Sequence, residues 1–278
     1  MSASPRGPRR AGDASALRST LVALASTVVF FGIVGWVVVS SPGWPAVRQS
    51  FFNGEVFASS FPAIVRSFWV NVQLFLIAEV LILVLGLAVA VLRSLPGPVF
   101  FPVRLLSTVY VDVFRALPGV LVIYILGFGI PALDLPGVPV EPFLYAVVAL
   151  TLVYSAYVSE VYRAGIESVH PSQEAAARSL GLSRFQSLRH VILPQAVRRV
   201  IPPLLNDFIG LQKDTVLVSY IGVIEIFRQS YIKQAGNFNF TPYMVTALVF
   251  VVVTLPLARL TDWLIARDKR RQAAGGVR

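Results

Sequence analysis

The stretch EAAARSLGLSRFQSLRHVILPQAVRR, residues 174–199, decides how the rest of this sequence is interpreted. It is polar and rich in arginine, although long apolar runs flank it on both sides. The alanines at 175–177 are strong helix formers with little side-chain bulk, and Ser172 is expected to cap the helix that contains them. Gly181 is expected to end this helix, because glycine adopts the left-handed conformation of a C′ residue without strain.

A second short helix is predicted directly after the glycine. Ser183 and Gln186 have the spacing of a capping box. One stripe of this helix is apolar and is expected to pack back on the flanking apolar runs: Phe185, Leu188 and Ile192. Pro194 and the pair Pro202-Pro203 limit how far the helix continues without a kink. The segment is therefore either a capped loop with its arginines at lipid headgroups or a smooth alanine face that inserts into a groove of another protein.

The composition is that of a membrane protein. Hydrophobic residues make up 56% of the 278 residues and charged residues only 14%, whereas a soluble domain carries about a quarter of charged residues. The net charge of +10 does not indicate nucleic-acid binding, because the arginines lie at the ends of apolar runs. The chain has no cysteine and only two histidines, which excludes disulfides and Cys-ligated metals and disfavours a His-based metal site.

The apolar runs are long enough to cross a bilayer as helices, which takes roughly 20 residues each. The sequence therefore predicts an all-α polytopic membrane protein with about six transmembrane helices, at residues 21–40, 68–92, 99–130, 143–162, 200–224 and 243–265. The first run is too long for a signal peptide and lacks a cleavage site, so it is interpreted as a retained span.

The distribution of positive charge predicts the orientation. With six spans, the N-terminal arginines, the basic stretch 163–199 and the C-terminal tail all lie on one side. The loop PALDLPGVPVEP, residues 131–142, has no lysine or arginine and lies on the other side, where Arg48, Arg228 and Lys233 are exceptions. Both chain termini and the quoted stretch are therefore expected in the cytoplasm.

The quoted stretch resembles the EAA loop of ATP-binding-cassette (ABC) importer permeases. The resemblance is carried by Glu174-Ala175-Ala176, by Gly181 and by ILPQA at 192–196. Residues 162–226 are similar throughout to the polar amino-acid branch of these permeases, and RALP at 115–118 is similar to the RGTP motif of that branch. KDTVL at 213–217 departs from the more usual KDTSL by one residue.

The resemblance implies a type I ABC importer permease fold with a cytoplasmic coupling helix. This helix would dock into a dimer of ATPase subunits, which bind ATP and Mg²⁺. The residues implied in coupling are Glu174, Ala175, Ala176, Arg178 and Gly181, and those that set the geometry of the loop are Ile192, Leu193, Pro194 and Pro202. The chain itself has no G-x-x-x-x-G-K-[ST] motif and is not expected to be an enzyme.

The composition of the first 16 residues predicts disorder there, and the resemblance implies the rest of the organisation and a set of partners. The expected segments are a disordered cytoplasmic stretch at 1–16, an additional span at 17–40, an external loop at 41–63, the permease domain at 64–266 with its coupling loop at about 165–192, and a cytoplasmic tail at 267–278. The expected partners in a bacterial cytoplasmic membrane are the ATPase dimer, a second permease chain (the same or a sister chain), an extracytoplasmic solute-binding protein and a polar amino acid.

Ionisable residues inside the spans are candidates for the substrate pathway. Glu79 shares a helical stripe with Phe75, Ile82 and Gly86, so it is expected to face another helix. There it either meets a substrate's ammonium or guanidinium group or is satisfied by a neighbouring helix. Asp112 with Arg115 and Glu160 with Arg163 are expected to form structural i, i+3 pairs.

A second group of polar residues lies in the proline-broken segment: Asn206, Asp207, Lys213 and Asp214. Broken helices are tolerated where they line cavities. Lys213 and a carboxylate could hold the two charges of an amino acid, or Lys213 and Asp214 could form a structural clamp at the outer mouth.

Two other function classes compete with a permease subunit. An ion- or proton-coupled secondary transporter using Glu79, Asp207 or Lys213 should show paired broken helices, of which the sequence has only one. A membrane-embedded enzyme needs catalytic groups clustered at one depth, and the two histidines lie instead in the basic stretch.

Overall fold

The computed structural model describes residues 11–275, and all regular structure in this range is helical. The α-helices are α1 (Ala11–Val39), α2 (Trp44–Phe51), α3 (Gly54–Arg93), α4 (Phe101–Ala116), α5 (Gly119–Tyr124), α6 (Pro142–Glu167), α7 (Pro171–Ser179), α8 (Arg184–Ser187), α9 (Leu193–Asp214), α10 (Ile226–Asn237) and α11 (Thr241–Gly275). Short π-helical turns cover Ile125–Gly129 and Leu188–Ile192, and 3₁₀ turns cover Pro131–Leu133 and Thr215–Ile221.

The chain divides into two compact units, the first ending at Asn53 and the second beginning at Gly54. In the first unit, residues 18–43 are all exposed, which includes every side of α1 from residue 18 and the residues that follow the helix. A helix that is apolar all round is typical of a membrane span. Of the predicted disordered stretch, residues 11–16 belong to α1, and residues 1–10 lie outside the described residues.

Length and apolarity identify four helical segments of the described chain that can cross a membrane, or five if a bent pair is counted as one span. The four are Arg18–Val39, the long apolar segment that ends at Arg93, Pro142–Glu167 and Thr241–Arg267. The predicted span at 200–224 is not among them. It folds as α9 followed by a 3₁₀ turn, and its charged residues lower its mean hydropathy.

The bent pair joins α4 to the segment Gly119–Leu133, and the two directions differ by 105°. The break lies at Pro118. Leu117 before it is extended, with φ −82° and ψ 138°, as expected for a residue that precedes proline. The run predicted as one span therefore consists of two helices that are almost perpendicular to each other.

The core of the second unit lies between α3 and α6. Small residues on α6 allow the two helices to approach closely, and Ala146, Ala149 and Ala156 have no exposed surface. An added Cβ on Gly86 of α3 would lie 2.8 Å from Val158 Cγ1 of α6. The prediction that the Gly86 stripe faces another helix is therefore confirmed.

Candidate functional site

Helix α7 carries the predicted coupling residues and begins one residue earlier than the expected cap. His170, not Ser172, is the N-cap: its Nδ1 accepts a hydrogen bond of 3.2 Å from the Ser172 amide. Pro171 occupies the first helical position, where its fixed φ suits the helix and its missing N–H costs nothing. The prediction of Ser172 as the cap was wrong because it overlooked this proline.

Gly181 ends this segment as predicted. Its φ is +85°, and its amide donates to the Arg178 carbonyl at 3.0 Å. The Leu182 amide donates to the Ala177 carbonyl at 3.2 Å, which completes a Schellman motif. Arg178 lies in the last turn, where a positive charge interacts favourably with the helix dipole.

The second helix of the segment starts with the predicted capping box. The Ser183 amide donates to Gln186 Oε1 at 2.8 Å, and the Gln186 amide donates to Ser183 Oγ at 3.2 Å. Helix α8 then passes through the π turn into α9, whose second residue is Pro194, with the Leu193 amide bonded to the Leu188 carbonyl. π-Helix is rare and occurs mostly as single turns of this kind within α-helices, frequently at functional sites.

The apolar stripe of α8 does not pack as predicted. Phe185 is 68% exposed, so the expectation that it packs on the spans was wrong: α8 is too short to bury that face. Leu188 and Ile192 instead line a cavity of about 400 Å³ beneath the segment, together with Ile166, Val169, Glu174 and Arg184.

We call residues 168–199 the elbow. A hydrogen bond joins its two ends, since the Arg199 guanidinium donates to the Ser168 carbonyl. An added Cβ on Gly165 would lie 2.0 Å from Val200 Cγ1, so α6 and α9 touch directly at the base of the elbow. The elbow is therefore a loop closed at its base.

Part of the exposed surface of the elbow is small or apolar, next to exposed polar residues such as Gln173 and Arg178. Ala175 and Ala176 are exposed, and Leu180 is 83% exposed. Glu174 is half-buried at the cavity edge. An exposed apolar face in a cation-rich segment is typical of a surface that another protein covers.

A cluster of ion pairs lies on α6 close to the elbow. Glu160 accepts hydrogen bonds from Arg93 and from Arg163, the latter at 2.7 Å, and lies 3.9 Å from Arg115 Nη1. The predicted Glu160–Arg163 pair is therefore confirmed. The predicted pair of Asp112 and Arg115 was wrong, because Arg115 turns toward α6. Asp112 is exposed and forms no ion pair with any described residue.

A second cluster, inside the helix bundle, contains two of the predicted pathway residues. Glu79 of α3 lies close enough to Asp207 of α9 for the two carboxylates to interact electrostatically. Asp207 Oδ2 is buried and has no hydrogen-bond partner in the described part of the chain. We call Glu79 and Asp207 the acidic pair. Two carboxylates without a cation in a low-dielectric site favour binding of a positive group between them.

Tyrosines of α6 line the same region. The Tyr154 hydroxyl donates to Asp214 Oδ2 at 2.7 Å. A Cβ added at Gly210 would lie 3.3 Å from this hydroxyl, so α9 and Tyr154 are close together here. Phe75, one helical turn before Glu79, and Phe208, the residue after Asp207, pack edge to face with ring centroids 4.5 Å apart. The predicted clamp of Lys213 and Asp214 is not formed among the described residues, because Asp214 is bonded to Tyr154.

The two other predicted pathway residues lie apart from the acidic pair. Asn206 is exposed. Lys213 lines a separate apolar groove of about 450 Å³ with Phe227, Phe250 and Leu255 of α10 and α11. The structure thus brings together Glu79 with Asp207 and separates both from Lys213. No group of three or more His, Asp or Glu side chains in the described ranges could hold a metal ion.

Sequence reasoning missed a buried polar network that joins α3 to the start of α10. Asn71 Nδ2 donates to Thr215 Oγ1 and to Glu225 Oε2, both at 3.0 Å, and Asn71 Oδ1 accepts from the Ile226 amide at 3.1 Å. Glu225 is fully buried and also accepts from two amides at the start of α10. The only local signal is an asparagine within the apolar run FWVNVQLF.

Comparison with known proteins identifies the family. Residues 82–270 match the family described as "Binding-protein-dependent transport system inner membrane component". The chain is 37% identical to the "Probable glutamine ABC transporter permease protein GlnM" of Bacillus subtilis (strain 168), over 66% of this chain and 83% of that one. It is 32% identical to the "Arginine transport system permease protein ArtQ" of the same organism, over 70% and 88%.

A solved structure shows that the expected fold is correct. The chain matches a chain of the "Crystal structure of an amino acid ABC transporter with histidines" with a TM-score of 0.68 and 31% identity, over 74% of this chain and 94% of that one. The chain belongs to the binding-protein-dependent transport system inner membrane components, the permease subunits of ABC importers.

Proposed function

We propose that this permease subunit moves a polar amino acid that carries a positive group into a bacterial cell, across the cytoplasmic membrane, with both chain termini in the cytoplasm. A separate ATPase dimer, which binds ATP and Mg²⁺, drives the transport by docking on the elbow. A solute-binding protein delivers the substrate from outside, and a second permease chain completes the pathway. The similarity to amino-acid permeases supports this function over an ion-coupled secondary transporter.

The exposed alanine face of α7 supports the elbow as the ATPase site. A docking groove can accept the backbone closely only where side chains are small, and Ala175 and Ala176 provide this at the exposed surface. Leu180 adds an apolar side chain whose burial contributes about 1.5–3 kcal/mol. The closed base of the elbow means that a force applied to α7 is transmitted to α6 and α9.

The test of this site is co-purification of the ATPase. Ala176→Arg places a long charged side chain on the exposed face without removing any internal contact, so the tagged permease should lose the ATPase subunit. Ala235→Arg, at an exposed position of α10, is the matched control and should retain it. Equal recovery of the ATPase with both variants would rule out this face as the docking surface.

The unpartnered oxygen of Asp207 is the observation that carries the proposed substrate class. A buried carboxylate oxygen without a donor is costly, and a second carboxylate beside it adds repulsion. An ammonium or guanidinium group relieves both penalties. The amine common to amino acids, or a cationic side chain, would therefore bind at the acidic pair.

Transport kinetics test this assignment in the assembled complex. Glu79→Gln and Asp207→Asn each replace a charged hydrogen-bond acceptor and should raise the KM for uptake about 10- to 100-fold, from the 1.5–3 kcal/mol typical of such bonds. Asp262→Asn, exposed on α11, is the control. Lys213→Ala should change the KM less than the acidic-pair variants. Unchanged uptake by both acidic-pair variants would remove these residues from the pathway.

A further inference from the structure

The groove that contains Lys213 has apolar walls and a single charge. It has a volume of about 450 Å³ and lies between the end of α9 and the helices α10 and α11. Apart from Lys213, the described residues that line it are apolar or threonine. Both threonine hydroxyls are bonded within the protein, Thr246 to Ser230 and Thr254 to Gln212. The groove therefore suits a largely apolar ligand that carries one negative group.

Two donors at this groove have no acceptor within the described chain. No described carboxylate forms an ion pair with Lys213, and the neighbouring Asp214 is bonded instead to Tyr154. Gln212 is buried, and its Oε1 accepts from Thr254 Oγ1 of the groove wall at 3.0 Å, while its Nε2 has no hydrogen-bond partner among the same residues. A buried amide donor and an intramembrane ammonium are both costly without an acceptor. An anionic group with several acceptor oxygens would satisfy both donors.

The position of the groove on α11 favours a lipid as the source of this group. Thr241–Arg267 is one of the segments that can cross a membrane, and the groove residues Val251 and Leu255 are 51% and 56% exposed. From Thr246 to Leu255 the groove extends about 14 Å along the helix. This length is about half of the roughly 30 Å hydrocarbon core, which is the depth that the acyl chains of one leaflet fill.

We propose that this groove binds an anionic phospholipid, with an acyl chain against Phe250, Val251 and Leu255 and the phosphate within reach of Lys213. The flexible stem of a lysine extends along apolar surface while its ammonium finds a polar partner. Pockets with basic side chains between transmembrane helices bind anionic lipid headgroups. A zwitterionic lipid is a poorer ligand, because its own cation neutralises the phosphate. Lys213 lies apart from the acidic pair, so this site can fail without affecting the proposed substrate site.

Native mass spectrometry of the purified permease complex measures the charge preference of the groove. The complex is titrated in a neutral detergent with dioleoylphosphatidylglycerol or dioleoylphosphatidylcholine. Wild type should bind the anionic lipid about tenfold more tightly, as expected from one charge-assisted hydrogen bond. Lys213→Gln should lose most of this preference, whereas Lys233→Gln, on α10 and not among the residues that line the groove, should keep it. Equal binding of the two lipids by wild type, or an unchanged preference in Lys213→Gln, would overturn the proposal.

A pair of neighbouring substitutions tests the place of the acyl chain while Lys213 stays intact. Val251→Trp fills the groove and should weaken binding of both lipids. Val252→Trp, at a position that is 61% exposed and is not part of the groove lining, should leave binding unchanged. Equal lipid binding by these two variants would show that the acyl chain lies elsewhere and would overturn the site.

Two further results would assign the groove to another occupant. The chain has no cysteine of its own, so Val252→Cys can carry a benzophenone maleimide beside the groove. Illumination in native membranes should give lipid adducts, and an adduct with a second protein chain in their place would overturn the lipid assignment. A raised KM for amino-acid uptake in Lys213→Gln, together with an unchanged lipid preference, would assign the ammonium to the substrate instead.

Discussion

The Asn71 network predicts a large loss of stability from a single substitution on α3. Asn71→Ala removes both donors to Thr215 and Glu225 and leaves the buried Ile226 amide without an acceptor. An unsatisfied buried amide costs about 1–3 kcal/mol, and a hydrogen bond to a carboxylate contributes about 1.5–3 kcal/mol. The expected loss is therefore about 3–5 kcal/mol, which corresponds to a fall in melting temperature of about 10 °C for a chain of this size.

Thermal unfolding of the purified chain in detergent, at one fixed scan rate, measures this loss. Ser67→Ala is the matched control on the same helix, because the Ser67 hydroxyl bonds only to the Ile64 carbonyl one turn away, at 2.8 Å. It should change the melting temperature by less than about 2 °C. Asn71→Asp keeps the acceptor but brings a second carboxylate next to Glu225, and should lose at least as much as Asn71→Ala. A loss of only about 0.6 kcal/mol, the average for a hydrogen bond between membrane helices, would refute the reasoning.

Two glycines give further predictions for the same assay. Gly181→Ala should lower the free energy of unfolding by about 1–2 kcal/mol, because it forces alanine into a left-handed conformation. Crowding does not contribute, because nothing lies within 4 Å of the added Cβ. Gly236→Ala, in a helix and equally uncrowded, should not destabilise the protein. Gly165→Ala should cost about 1–3 kcal/mol because its Cβ would overlap Val200, and Val200→Ala in the same chain should recover most of that loss. Failure of the second substitution to rescue the first would show that the overlap is relieved in another way.

The features that sequence alone predicted depend on neighbours within a few residues. The capping box at Ser183 consists of two hydrogen bonds between backbone amides and side chains, and the turn at Gly181 of backbone hydrogen bonds; all of them span no more than five residues. The small-residue stripe at Gly86 is also a local pattern, since residues four apart lie on one helix face. Such features are encoded where they occur and require no knowledge of the partner helix.

The features that sequence missed depend on contacts between distant segments. Asn71 and Glu225 are 154 residues apart, and neither lies in a pattern that points to the other. Arg115 was assigned to Asp112 because these residues are neighbours on one helix, but the competing acid Glu160 comes from α6. Phe185 was expected to be buried because its stripe is apolar, yet whether a stripe is covered depends on helix length and on the direction of the turn before it.

Helix α9 connects the elbow directly to Asp207 of the acidic pair, the two sites that the proposed function couples. It begins at Leu193, directly after the π turn of the elbow, and continues past Asp207 to Asp214. Near its N-terminal end it is fixed to α6 by the contact of Gly165 with Val200, and at its other end Asp214 accepts the hydrogen bond from Tyr154 of α6. A displacement of the elbow therefore reaches Asp207 through one helix, and it changes the geometry of the acidic pair only if α9 moves relative to α3 and α6. In the proposed function, the contacts of α9 with α6 are therefore the ones that the transport cycle would rearrange to bind and release a positive group.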